Sequence, residues 1–252
     1  MPLVDTHCHL DMLENPEGAL ERMHAAGVRR AITIGVDAAS NEWAAEFATS
    51  HPGIWATVGL HPHDAKDRTP ELMARIAELA RVDQVVGIGE AGLDYHYDNS
   101  PRDAQRAVFA EQVRLANEVG KALVVHTREA WDDTFAILEA EGVPERLVFH
   151  CFTGGPTEAA RAVELGAVLS FAGLVTFRNA EDVRAAARET PLERILLETD
   201  SPFLTPAPHR GKVNEPAMVA YVAEGVAAAR QMPLAELAEA TAHTAARIFG
   251  LV

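Results

Sequence analysis

Short runs of β-branched and apolar residues alternate along the chain with longer Ala-, Glu- and Arg-rich stretches of helical period. The first run, Leu3-Val4, precedes a helical stretch over 16–26 that Gly27 closes as a left-handed stop. Ala31-Ile32-Thr33-Ile34 precedes a helix over 40–49. Ile54-Trp55-Ala56-Thr57-Val58 precedes one over 71–80, with Pro70 suited to its first turn. Val85-Val86-Gly87-Ile88 predicts a fourth strand, then a long loop and a helix over 102–119 ended by Gly120. Ala122-Leu123-Val124-Val125 leads to a helix over 129–140, and Leu147-Val148-Phe149 to one that starts at Pro156 and ends at Gly166. Ala167-Val168-Leu169-Ser170 leads to a helix over 181–189. Ile195-Leu196-Leu197 is the eighth run, followed by helices over 216–229 and 234–249.

Consecutive apolar residues without alternation suit a parallel sheet covered on both faces. Eight strand–helix units in 252 residues predict an α/β fold, a (β/α)8 TIM barrel, as a single domain over 1–252. The rival is an open doubly wound sheet. That fold would carry a Gly-rich phosphate turn after its first strand, where His7-Cys8-His9 stands.

Composition narrows the class. Hydrophobic residues make up 48% and charged residues 23%, which excludes a disordered chain and a collagen-like fibre. The two cysteines, Cys8 and Cys151, are too few for a disulfide scaffold and are expected as small buried hydrophobes. No apolar run approaches the ~20 residues that cross a bilayer. The start, Met1-Pro2-Leu3-Val4-Asp5, has no basic and apolar leader pattern, so a cytoplasmic protein is expected. Lys plus Arg total 22 against 37 for Asp plus Glu, a net charge of −15. Such a surface repels a polyanion at long range and argues against a duplex-coating protein. It leaves a nucleic-acid substrate open, because bound dications reverse the sign locally.

Barrel enzymes place their chemistry at the carboxyl ends of the strands. Six of the 11 histidines, His7, His9, His61, His63, His126 and His150, follow expected strands directly. Glu90 and Glu198-Thr199-Asp200 stand at the ends of the fourth and eighth strands. In His7-x-His9 both imidazoles leave one side of an extended segment and can reach one ion. Imidazole mixed with carboxylate suits Zn, Mn, Fe, Ni or Mg-like ions, with Glu90 and Asp200 compensating the charge and His126 and His150 completing a second ion. Two ions roughly 3.5–4 Å apart suit phosphodiester hydrolysis.

Seven segments carry a recognisable order and spacing: Asp5-Thr6-His7-Cys8-His9-Leu10-Asp11, Gly59-Leu60-His61-Pro62, Gly87 through Tyr95, His126-Thr127-Arg128, His150-Cys151-Phe152-Thr153-Gly154, Glu198-Thr199-Asp200-Ser201-Pro202 and Arg210-Gly211-Lys212-Val213-Asn214-Glu215-Pro216. Together they resemble the TatD family of metal-dependent hydrolases, within the amidohydrolase-like barrels. The resemblance implies that His7, His9 and Asp200 bind one divalent metal, that Glu90 bridges, and that His126 and His150 bind the second. It implies deoxyribonuclease action at single strands or ends, often from the 3′ end, with Mg2+ or Mn2+ and with Zn2+ or Ni2+ as other occupants. Val213 departs from the family, many of whose members carry a basic residue there.

Glu90 and Asp200 are thus the expected catalytic carboxylates, Asp200 steering the proton of the nucleophilic water. His61, Arg128, Arg210 and Lys212 are the expected phosphate holders. A DNA substrate and a monomer, with no membrane or obligate protein partner, complete the expectation. An aminoacyl-tRNA deacylase or another ester or amide hydrolase on the same site is the alternative, and it suits the acidic surface. Three motifs stay open at this stage. Asn214 through Pro216 also suits a helix start, with Asn214 as its N-cap and Pro216 near the first turn. Gly154-Gly155-Pro156 suits either a turn or a phosphate seat at a helix N-terminus. Tyr95, His96 and Tyr97 either cover the barrel mouth or stack on a base.

Overall fold

The computed structural model describes residues 2–251, so Met1 and Val252, the two ends of the expected domain, lie outside it. Eight parallel strands form one sheet in chain order, the topology of the (β/α)8 barrel. The strands are β1 (Val4–Cys8), β2 (Arg30–Ile34), β3 (Ile54–Val58), β4 (Val85–Asp94), β5 (Ala122–Arg128), β6 (Leu147–Phe149), β7 (Val168–Phe171) and β8 (Ile195–Leu197). The helices are α1 (Pro16–Ala25), α2 (Ala38–Ser50), α3 (Pro70–Leu79), α4 (Arg102–Val119), α5 (Trp131–Glu141), α6 (Pro156–Glu164), α7 (Glu181–Glu189), α8 (Val219–Arg230) and α9 (Leu234–Phe249). No described helix is long and apolar enough to cross a membrane.

Packing divides the chain into two compact units, Met1–Thr33 with His150–Val252, and Ile34–Phe149. In the first, β1 and β8 close upon each other through a bridge between Cys8 and Ser201. The Asp200 amide donates to the His7 carbonyl at 2.9 Å and the His9 amide to the Ser201 carbonyl at 2.8 Å. Here Cys8 is fully buried, as expected, but Cys151 is only half-buried. It lies outside a strand, at φ 41°, and its amide donates to Glu198 Oε1.

In the second unit β4 runs on to Asp94, where a loop was expected after Glu90. Glycine disfavours strands, which hides this extension in the sequence. Gly92 is required instead by a close approach, at φ 147°, since a Cβ there would lie 1.9 Å from the His126 carbonyl oxygen. Two buried glutamines of α4, seven residues apart and so on one helix face, clamp the strand ends. Gln112 exchanges both amide bonds with the Leu60 backbone (2.8 and 2.9 Å), and Gln105 does the same with Asp94 (2.8 and 3.1 Å).

Helix ends follow local chemistry. Asp37 and Ser40 form a capping box on α2, Thr69 caps α3, and Gly120 ends α4 in the left-handed region. Asn214 differs from its expected role. Its amide nitrogen donates to the Thr199 and Phe203 carbonyls (2.8 and 2.6 Å), tying down the loop after β8, and Glu215 takes the cap position of the one-turn helix Pro216–Met218.

Candidate metal centre

The expected ligands stand in the carboxyl half of a strand (His7, Glu90, His126) or within three residues after one (His9, His150, Asp200), on the side where this fold places its chemistry. In the first unit Asp200 Oδ1 lies 3.8 Å from His7 Nε2 and 3.5 Å from His9 Nε2. His150 stacks on His7 with ring centroids 3.9 Å apart and planes 11° apart. His7, His150 and Asp200 each offer one ligand atom within 4.8 Å of the others. Distances of 3.5–3.8 Å are long for hydrogen bonds but close to the separation of neighbouring donors around an ion at about 2.0–2.2 Å.

Asp200 adopts φ 55°, uncommon for a non-glycine, fixed by its bond to the His7 carbonyl. Burial alone would raise its pKa, but the hydrogen bond from His9 and the charges of His7, His150 and His9 outweigh that and hold it below the usual carboxylate range. Beneath it Asp5 is fully buried and accepts the Thr199 amide at 2.8 Å and its hydroxyl at 2.6 Å. Burial pushes the Asp5 carboxyl up to about 8. Glu198, also fully buried, accepts the Cys151 amide at 2.7 Å through Oε1, which lies 3.3 Å from His150 Nδ1. A carboxylate behind a ligating histidine fixes its ring and raises its basicity.

The second unit gathers His61, Glu90 and His126, again with one ligand atom of each within 4.8 Å of the others. Glu90 Oε1 lies 2.8 Å from His126 Nδ1 and 3.3 Å from His61 Nε2. Burial drives the His61 pKa down to about 4, so its ring is neutral at neutral pH. The far side of His126 rests on Asp94, whose Oδ2 lies 3.2 Å from His126 Nε2 and 3.0 Å from His63 Nε2. Burial alone would raise Asp94, yet hydrogen bonds from His126, the Tyr97 amide and His63 hold it far below the usual range.

The structure thus sets His61, expected on phosphate, among donors suited to a metal, and His150, expected beside His126, against His7. Arg128 ends β5 with its guanidinium 4.8 Å from the Tyr97 ring centre, and no carboxylate among the described residues pairs with it. Arg210 lies 3.8 Å over the Phe177 ring, and both it and Lys212 are exposed on the loop after β8. Tyr95 is committed to Asp133 and Arg106, whereas Tyr97 stays open to solvent. Glu158 bonds the Gly155 amide at 2.8 Å, so that helix start already has an acceptor of its own. The sequence reading gave no role to Asp94, Glu198 or Phe203. A carboxylate closing an apolar strand was the available signal for the first two.

A profile of the family described as TatD related DNase matches residues 4–250. The chain is 43% identical over 252 residues to YabD of Bacillus subtilis, an uncharacterized metal-dependent hydrolase, covering 98% of each. It is 39% identical to YcfH of Escherichia coli K12, likewise an uncharacterized metal-dependent hydrolase, covering 99% of this chain and 96% of that protein. The crystal structure of YjjV, a TatD homologue from Escherichia coli K12, superposes with a TM-score of 0.94 at 28% identity, over 99% of this chain and 98% of that one.

Proposed function

The chain belongs to the TatD-related DNase family, and from that premise we propose that it is a two-metal deoxyribonuclease that hydrolyses phosphodiester bonds at DNA ends. One observation carries the reading: Asp200 Oδ1 is set 3.5 and 3.8 Å from two buried imidazole nitrogens, close to the spacing of neighbouring donors around an ion. In this reading His7, His9, His150 and Asp200 hold one ion, and His61, Glu90 and His126 hold the other. The bridging role that the family implies for Glu90 belongs to the same proposal. Divalent ions bound there would supply Lewis acidity toward a phosphoryl oxygen and acidify a water near neutral pH.

The protein's own groups do the rest. Asp200, kept ionised by its histidine neighbours, accepts the proton of the attacking water at its carboxylate. Glu198 and Asp94 hold the His150 and His126 rings from behind. Arg128, with no carboxylate partner among the described residues, is free to grip a phosphate of the substrate, and Lys212 and Arg210 offer further positive charge. A cytoplasmic setting and a monomeric enzyme complete the proposal.

A labelled single strand, incubated with Mn2+ and wild type, Glu90→Ala or wild type plus EDTA, tests it. Degradation by the wild type alone supports the nuclease. Faster turnover of an aminoacyl or simple ester, lost in Glu90→Ala, would move the assignment to an ester hydrolase on the same site.

A further inference from the structure

The described residues expose four large hydrophobic side chains, Met12, Tyr97, Phe203 and Val213, and all four lie in the segments that connect the carboxyl end of a strand to the next helix. Single exposed hydrophobics are common on any surface. Confinement of all four to the segments at the carboxyl ends of strands is not. Phe203 meets a proposed metal ligand. Its ring is 51% exposed and meets His9 edge to face, with centroids 5.9 Å apart and planes 75° apart.

Its backbone is fixed on every side. The Phe203 amide donates to the Asp200 carbonyl at 2.8 Å, and its own carbonyl accepts from the buried Asn214 side chain at 2.6 Å. Asp200 and Leu204, on either side of it, both hold positive φ (55° and 52°), a conformation that persists only where surroundings enforce it. Gly173 leaves room below, since a Cβ there would lie 1.8 Å from the Leu204 carbonyl oxygen. A half-exposed aromatic ring on a rigid loop, three residues from Asp200, is a preorganised platform. Aromatic faces of this kind take up bases of single-stranded nucleic acid with little regard to sequence.

We infer that Phe203 is a substrate-contacting residue, whose ring stacks on the nucleobase next to the scissile phosphate. The inference rests on the nuclease reading and adds the feature that the substrate must present to be cleaved: an unpaired base. Duplex interiors, whose bases are already stacked, offer no such face.

Two measurements on the full chain decide it. The first is the kcat/KM of wild type and Phe203→Ala on a single strand with a natural end and on the same strand with an abasic terminal residue. Loss of the ring should penalise the natural end roughly 5- to 150-fold more than the abasic end. Equal penalties on both strands would overturn the inference. The second needs no turnover. Phe203→Trp places a reporter at the platform, and its fluorescence beyond that of the wild type, with its 3 native tryptophans, is followed on titration. Quenching by dGMP but not by 2-deoxyribose 5-phosphate is the expected result. No quenching, or equal quenching by both, would overturn the inference. Wild-type cleavage of strands combined with no quenching would leave the nuclease standing and remove the platform. A wild type inert on every strand would remove the nuclease, and the quenching would still decide whether Phe203 takes a base.

Discussion

Glu198→Gln separates what holds the first-unit cluster together from what tunes it. Glu198 is fully buried, and its Oε1 accepts the Cys151 amide at 2.7 Å while lying 3.3 Å from His150 Nδ1. Glutamine keeps the length and an acceptor oxygen for that amide, so the fold should change by less than about 1 kcal/mol. What it loses is the negative charge behind His150. Loss of a carboxylate behind a ligating histidine typically weakens metal binding ~10- to 100-fold, or about 1.4–2.7 kcal/mol. Glu198→Ala makes the contrast. It strands a buried N–H, at a cost of about 1–3 kcal/mol, which in a protein of this size lowers Tm by roughly 2–12 °C. The assay is competition for Zn2+ with a chromophoric chelator, alongside melting of the chelated protein. A Glu198→Gln protein with wild-type Tm and weakened metal binding is expected. Unchanged metal affinity in that folded variant would refute the role given to Glu198.

Arg128→Ala should keep its metal content and lose roughly 10- to 150-fold in kcat/KM on DNA, the value of one charge-assisted contact of about 1.5–3 kcal/mol; metal analysis and kinetics on one preparation check both halves. Gly92→Ala should destabilise the protein by on the order of 3 kcal/mol, because the new Cβ falls 1.9 Å from the His126 carbonyl oxygen; urea melts measure it. For the metal-free protein, His61 has its pKa lowered by burial from 6.5 to about 4. The unfolded chain therefore binds the extra proton between those values, and stability falls as pH drops from about 6.5 to about 4, by up to roughly 3 kcal/mol. His61→Gln should remove that part of the pH dependence, as read from denaturant midpoints across the window.

The sequence exposed the barrel because parallel strands covered on both faces must be continuously apolar, and these are. Helices over 102–119, 181–189 and 234–249 fall where their period and stop residues put them. The extension of β4 was hidden because Gly89 and Gly92 resemble loop residues until the backbone crowding around them is known. The candidate metal-binding side chains were legible from position alone, since His, Glu and Asp closing apolar strands have few other uses. Which of them face one another was less so. Side-chain direction at a strand end depends on local register, and the shifts in β1 and β4 alter it. Asn214 looked like a cap because its sequence neighbours suit one, whereas the carbonyls it bonds are 15 and 11 residues away. The buried supports, Gln105 and Gln112, carry no local signal: they are ordinary helix formers whose partners are strand ends.

Metal-dependent cleavage of DNA by this chain's own carboxylates is the claim on which the rest depends. Wild type and Glu90→Ala, stripped of metal and then titrated with Mn2+, are assayed on a 3′-labelled single strand under identical conditions. Activity that appears only in the wild type, rises with Mn2+ and falls by several orders of magnitude in Glu90→Ala is the predicted result. Equal degradation by both proteins, or cleavage indifferent to Mn2+, would contradict the account.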